Sequence, residues 1–260
     1  MVRIVHLLII AVLTSETYSI DVIAHRGFTT ESKENTLGSI REAWIYGADA
    51  VEVDIQMLND ETIVLFHDLE LKGQKLATLT YRQLQALSPS YHVPTLDEAL
   101  LEVVPEKSII LDLKSNTLKF ASILSSTLGR KERDFDLIVQ SSDLPVLKEI
   151  ENKLSDSAEY QFLTKLEREG IVQREPSVNE IIESLSSSGI SGVSAKGRRF
   201  IDESFVSSIQ TAGFRFYVWT INEPKRIRHY LGLGVDGIIT DNPGAREQID
   251  AYLSGDDNSE

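Results

Sequence analysis

The chain has 260 residues, 42% of them hydrophobic, with no cysteine and a formal net charge of −14. That length and composition suit one large globular domain rather than a disordered chain. The charge excludes a basic nucleic-acid footprint, and the missing cysteine excludes disulfides, thiolate nucleophiles and Cys-type zinc sites.

The first 19 residues, "MVRIVHLLIIAVLTSETYS", place Arg3 before an apolar run from Ile4 to Leu13, followed by small and polar residues. This is the layout of a signal peptide or N-terminal anchor, and the apolar run is short for a membrane span. It predicts a secreted or extracytoplasmic protein. A leader that is retained rather than cleaved would associate it with a membrane. Residues 255–260 belong to an acidic tail expected to fray.

From Ile20 onward, β-rich runs alternate with helical patterns. "DVIAH" predicts a strand, and "NTLGSIREAWIYG" a helix stopped by glycine. "AVEVDIQML" and "TIVLFHD", separated by "NDE", predict a hairpin. "TLTYRQLQAL" and "TLDEALLEV" each open on a threonine cap. Further strands are expected at "SIILDLK", "DLIVQSS", "EYQFLTK", "ISGVSA", "RFYVWTI" and "VDGIIT". Helical patterns lie at 119–128, 144–154, 178–187, 203–212, 224–231 and 245–253. With "TIVLF" taken as a hairpin addition, these make eight strand–helix units over residues 20–254. The expected fold is α/β, a single-domain (β/α)8 TIM barrel. An open doubly wound sheet is disfavoured because no glycine-rich phosphate loop follows the first strand.

Active sites of such barrels lie where the strands end. Strand one ends in His25-Arg26-Gly27 and strand two carries Glu52 and Asp54. The hairpin partner ends in His67-Asp68, and strand three carries Asp112 and Lys114. Gln140-Ser141-Ser142, Trp219-Thr220-Ile221-Asn222 and Thr240-Asp241-Asn242 end strands four, seven and eight. In "AVEVDIQ", Glu52 and Asp54 share one strand face and repel. A divalent cation held by Glu52, Asp54 and Asp112 would remove that repulsion, and oxygen-only ligands suit Mg²⁺ or Ca²⁺. Arg26 and Lys114 supply donors for an anion, and His25 and His67 can exchange protons near neutral pH. The set describes assisted displacement at a phosphate ester.

"HRG" (25–27), "ENT" (34–36), "VEVDIQ" (51–56), "HD" (67–68), "LDLK" (111–114), "QSSD" (140–143), "VWTIN" (218–222) and "GVDGIITDNP" (234–243) occur in that order. The series resembles that of the glycerophosphodiester phosphodiesterase family, over nearly the whole chain beyond the leader. The resemblance implies hydrolysis of a small phosphodiester to sn-glycerol 3-phosphate and an alcohol. It implies His25 and His67 as general acid and base, without saying which is which. Glu52, Asp54 and Asp112 become the ligands of one divalent cation. Arg26 and Lys114 become phosphate contacts, Trp219 a wall of the substrate pocket, and Glu34 a group close to the substrate. In the family the third metal carboxylate is usually Glu; Asp112 is one methylene shorter. A second reading is a phospholipase D of the secreted toxin-like type, acting on lysophospholipids or sphingomyelin with cyclic phosphate release. Asp112 favours it, whereas "ENT", "VWTIN" and the absence of cysteine count against it.

Overall fold

The computed structural model describes residues 20–115, 117–129, 133–164, 177–186 and 189–255. The predicted leader, 1–19, and all of the acidic tail beyond Gly255 lie outside them. Among the described residues no helix is long and apolar enough to cross a membrane.

Eight parallel strands form the barrel: β1 (Asp21–His25), β2 (Ala50–Met57), β3 (Ser108–Leu113), β4 (Asp136–Ser141), β5 (Glu159–Thr164), β6 (Gly192–Lys196), β7 (Arg215–Trp219) and β8 (Gly237–Thr240). Each pairs with the next, and β1 pairs with both β2 and β8, which closes the sheet. Helices lie between the strands, from Leu37–Ile45 after β1 to Ala245–Ser254 after β8. The antiparallel strand Ile63–Leu65 adds to β2 as the hairpin reading expects. It is shorter than "TIVLFHD" suggests, because the Gln56 amide takes the carbonyls of Phe66 and Asp68 at 2.8 Å each and draws them off the ladder.

The threonine cap expected at Thr95 forms, the one expected at the start of "TLTYRQLQAL" forms two residues on at Thr80, and Thr36 caps the first helix as well. Each accepts the backbone N–H three residues on, and Ser39, Gln83 and Glu98 reach back to complete capping boxes. Such a cap stabilises its helix by about 1 kcal/mol.

Period-two alternation separates two cores. Val51, Val53 and Ile55 of β2 face outward into the apolar layer beneath the helices, where each is fully buried. Burying each side chain contributes about 1.5–3 kcal/mol. Ile23, Ala50, Ile110, Ile138, Tyr217 and Ile239 form a second cluster inside the barrel. Gly237 is needed beside it, since a Cβ there would lie 2.9 Å from Tyr217 Cδ1. Side chains at i and i+2 share a strand face. Each apolar residue of the inner cluster is therefore followed, two positions on, by a residue at the barrel mouth: His25, Glu52, Asp112, Gln140, Trp219 and Asp241.

Candidate active site

Strand register decides which mouth residues meet. His25 is the direct partner of Glu52 across β1 and β2, and Asp54 that of Asp112 across β2 and β3. Glu52, Asp54 and Asp112 are 2%, 1% and 4% exposed. Each offers an oxygen, and these lie within 4.8 Å of one another. The expected carboxylate cluster is thus a single group of buried acids.

Its electrostatics are strained. Burial, then the charge of Asp54, pushes Glu52 up to about 8, even though His25 acts in the opposite direction. Burial also raises Asp112, against the pull of Lys114. Asp54 instead falls below the usual carboxylate range: burial would raise it, but Lys114, Arg26 and Asn35 outweigh burial. The Lys114 ammonium lies 2.9 Å from Asp54 Oδ1 and also contacts Asp112.

Arg26 occupies the left-handed backbone region, with φ of 57°. That conformation turns its backbone N–H onto Glu52 Oε2 at 2.9 Å. Gly27 follows at φ 75°, where a Cβ would sit 2.5 Å from the Ser39 carbonyl, so only glycine fits. The Arg26 Nη1 donates to both oxygens of Glu34 at 3.0 Å, and its Nε lies 3.1 Å from Asp54 Oδ2. Two predicted substrate contacts, Arg26 and Glu34, are therefore paired with each other.

His67 reaches the mouth on the loop held by Gln56, and the Phe66 N–H donates to the Asp54 carbonyl at 3.0 Å. Its Nδ1 lies 2.8 Å from Asp68 Oδ1. His25 Nδ1 lies 2.6 Å from Asp241 Oδ1. Burial works against the His25 imidazolium, but the hydrogen bond to Asp241 and the nearby Glu52 overcome it and raise the pKa. Trp219 packs on the inner apolar cluster and donates Nε1–H to the Ser194 carbonyl at 3.2 Å.

Four site residues have no role assigned to them by the sequence alone. Asn35, the middle of "ENT", donates to Asp54 Oδ2 at 2.7 Å and accepts the Asp54 N–H at 2.9 Å. Gln56 anchors the His67 loop. Asp241 meets His25, and Asn222 in turn donates to Asp241. Their position at strand ends, or beside a predicted ligand, was the available signal.

Residues 25–245 match the family model described as the glycerophosphoryl diester phosphodiesterase family. The chain is 27% identical over 248 residues to a glycerophosphodiester phosphodiesterase of Bacillus altitudinis, covering 88% of this chain and 97% of the relative. It is 22% identical over 268 residues to a lysophospholipase D of Rattus norvegicus, covering 85% and 83%. Its fold is similar to that of a phosphodiesterase from Oleispira antarctica, solved in complex with the product sn-glycerol 3-phosphate. The TM-score is 0.73 at 23% identity, over 88% of this chain and 96% of that one. A barrel with two histidines beside a buried acidic cluster, and with these relatives, is a phosphoric diester hydrolase. The family model spans most of the residues, so the chain belongs to the glycerophosphoryl diester phosphodiesterase family.

Proposed function

We propose that this enzyme hydrolyses glycerophosphodiesters to sn-glycerol 3-phosphate and an alcohol, using a divalent cation and the imidazoles of His25 and His67. The observation that carries this reading is the buried cluster of Glu52, Asp54 and Asp112 lying beside His25.

The cluster fits a hard cation. Its donors are all oxygen, two of its three acids are driven toward the neutral form by burial, and Asp112 Oδ1 is buried without a hydrogen-bond partner. Lys114 already places a positive charge between Asp54 and Asp112. Glu52, Asp54 and Asp112 would hold the ion, Mg²⁺ or Ca²⁺. When bound, it would neutralise the acids and stabilise charge developing on the phosphate oxygens.

The chain's own groups account for the remaining steps. The cationic side chains of Arg26 and Lys114 bind the phosphate, for which each exchanges one of its present carboxylate partners. One imidazole takes a proton from the nucleophile, either water or a neighbouring glycerol hydroxyl; in the latter case water then opens the resulting cyclic phosphate to sn-glycerol 3-phosphate. The other protonates the oxygen of the departing alcohol as its bond to phosphorus breaks. Trp219 walls the pocket. Export from the cytoplasm, directed by residues 1–19, is part of the proposal.

The test offers purified enzyme glycerophosphocholine, glycerophosphoethanolamine, lysophosphatidylcholine and sphingomyelin with Mg²⁺ or Ca²⁺. Release of sn-glycerol 3-phosphate from the small diesters is the expected result. Cyclic phosphate from the lipids, with the small diesters untouched, would replace this reading with the phospholipase D one. The lysophospholipase D relative makes that comparison worthwhile.

A further inference from the structure

Both imidazoles at the mouth meet a carboxylate through Nδ1, but the two pairs are built differently. Asp68 is the residue next to His67, and its side chain is 73% exposed. Asp241 reaches His25 across the closure of the barrel, from 216 residues away, and is itself held from behind. Its Oδ2 accepts from Asn222 Nδ2 at 2.7 Å. Asn222 Oδ1 accepts the backbone N–H of Asp241 at 2.8 Å and the Thr240 hydroxyl at 3.2 Å. With its oxygen engaged by two donors, the Asn222 amide has one orientation, and its N–H must point at Asp241.

We propose that Asp241, oriented by Asn222, is a positioning residue that holds neutral His25 with its proton on Nδ1, leaving Nε2 to exchange protons with the substrate. The argument is donor–acceptor matching. An ionised carboxylate only accepts, so the ring nitrogen facing it must donate. Asp241 remains ionised because, although burial raises its pKa, the hydrogen bonds from His25 and the Asn222 N–H lower it further. The proposal rests on the reading of His25 as a proton-transfer group.

The same matching predicts what D241N does. Asn222 still presents an N–H, so the new amide must turn its oxygen toward Asn222 and its NH₂ toward His25. Nδ1 then has to accept, and the proton moves to Nε2. The shape of the site is unchanged, yet the wrong nitrogen is free. We expect kcat to fall on the order of 10²–10⁴-fold, with KM within about threefold of the wild type. In N222D/D241N the carboxylate at 222 accepts the amide N–H. The amide oxygen then faces His25, and kcat should recover at least about tenfold over D241N. A merely structural role predicts no such rescue.

The direct readout is the ¹⁵N spectrum of His25 in histidine-labelled enzyme, at a pH where the ring is neutral. Nδ1–H is expected in the wild type and in N222D/D241N, and Nε2–H in D241N, with D68N leaving His25 unchanged. An Nε2–H tautomer in the wild type overturns the proposal without need of any variant. So does a D241N enzyme that keeps Nδ1–H, or a double variant no faster than D241N. The tautomer can be read without turnover. A switch in the spectrum of an enzyme that cleaves no glycerophosphodiester would sink the functional reading and leave this one standing.

Discussion

Glu52→Gln should stabilise the metal-free protein while destroying its cation site. Glu52 is fully buried, and burial together with Asp54 raises its pKa from the ordinary 4.5 to about 8. The folded state therefore keeps a proton that the unfolded chain releases. This contribution is complete below about pH 4.5 and is lost as pH rises through about 8. Up to pH 7 the loss runs at about 1.4 kcal/mol per pH unit, so the carboxylate costs about 3 kcal/mol there. At pH 5 it costs about 1 kcal/mol or less. Glutamine has the same shape, can still accept the Arg26 N–H and never ionises. Urea unfolding in excess chelator should show E52Q more stable than wild type by about 3 kcal/mol at pH 7, the gain shrinking toward pH 5. Adding a divalent cation should reverse the order, since only the wild type gains from binding. An E52Q protein less stable than wild type at pH 7, or a gain independent of pH, would refute the electrostatic account.

Other expectations are equally specific. H25A and H67A should each lower kcat about 10²–10⁴-fold on glycerophosphocholine, with the fold intact by circular dichroism. K114M removes the cation between Asp54 and Asp112, and chelated enzyme should lose about 3 kcal/mol in urea unfolding, partly regained with Mg²⁺ or Ca²⁺. G27A forces a Cβ to within 2.5 Å of the Ser39 carbonyl at a φ of 75°, and should cost about 3 kcal/mol in the same assay.

The barrel was legible because its signals are local. Alternation in "AVEVDIQ" assigns Glu52, Asp54 and Gln56 to one face, and threonines announce two of the helix starts. The acidic cluster followed once strand ends were read together. What stayed hidden depends on closure and on backbone conformation. The meeting of His25 with Asp241 spans 216 residues and exists because β1 pairs with β8. Asn35 reaches Asp54 from a backbone φ of 55°, which no alternation pattern reports. Arg26 has the charge of a phosphate clamp, and its present partners, Glu34 and Asp54, come from two other segments of the chain. Gln56 was visible as an inward polar residue, yet its service to the His67 loop depends on where the hairpin leaves the ladder.

Calorimetric titration of chelator-stripped protein with Mg²⁺, Ca²⁺ and Mn²⁺ bears most directly on why three acids lie buried together. One ion should bind per chain, more tightly at pH 8 than at pH 6 because Glu52 must give up its proton. E52Q, D54N and D112N should each abolish that binding and the phosphodiesterase activity together. Full turnover in stripped protein that takes up no cation would contradict the account.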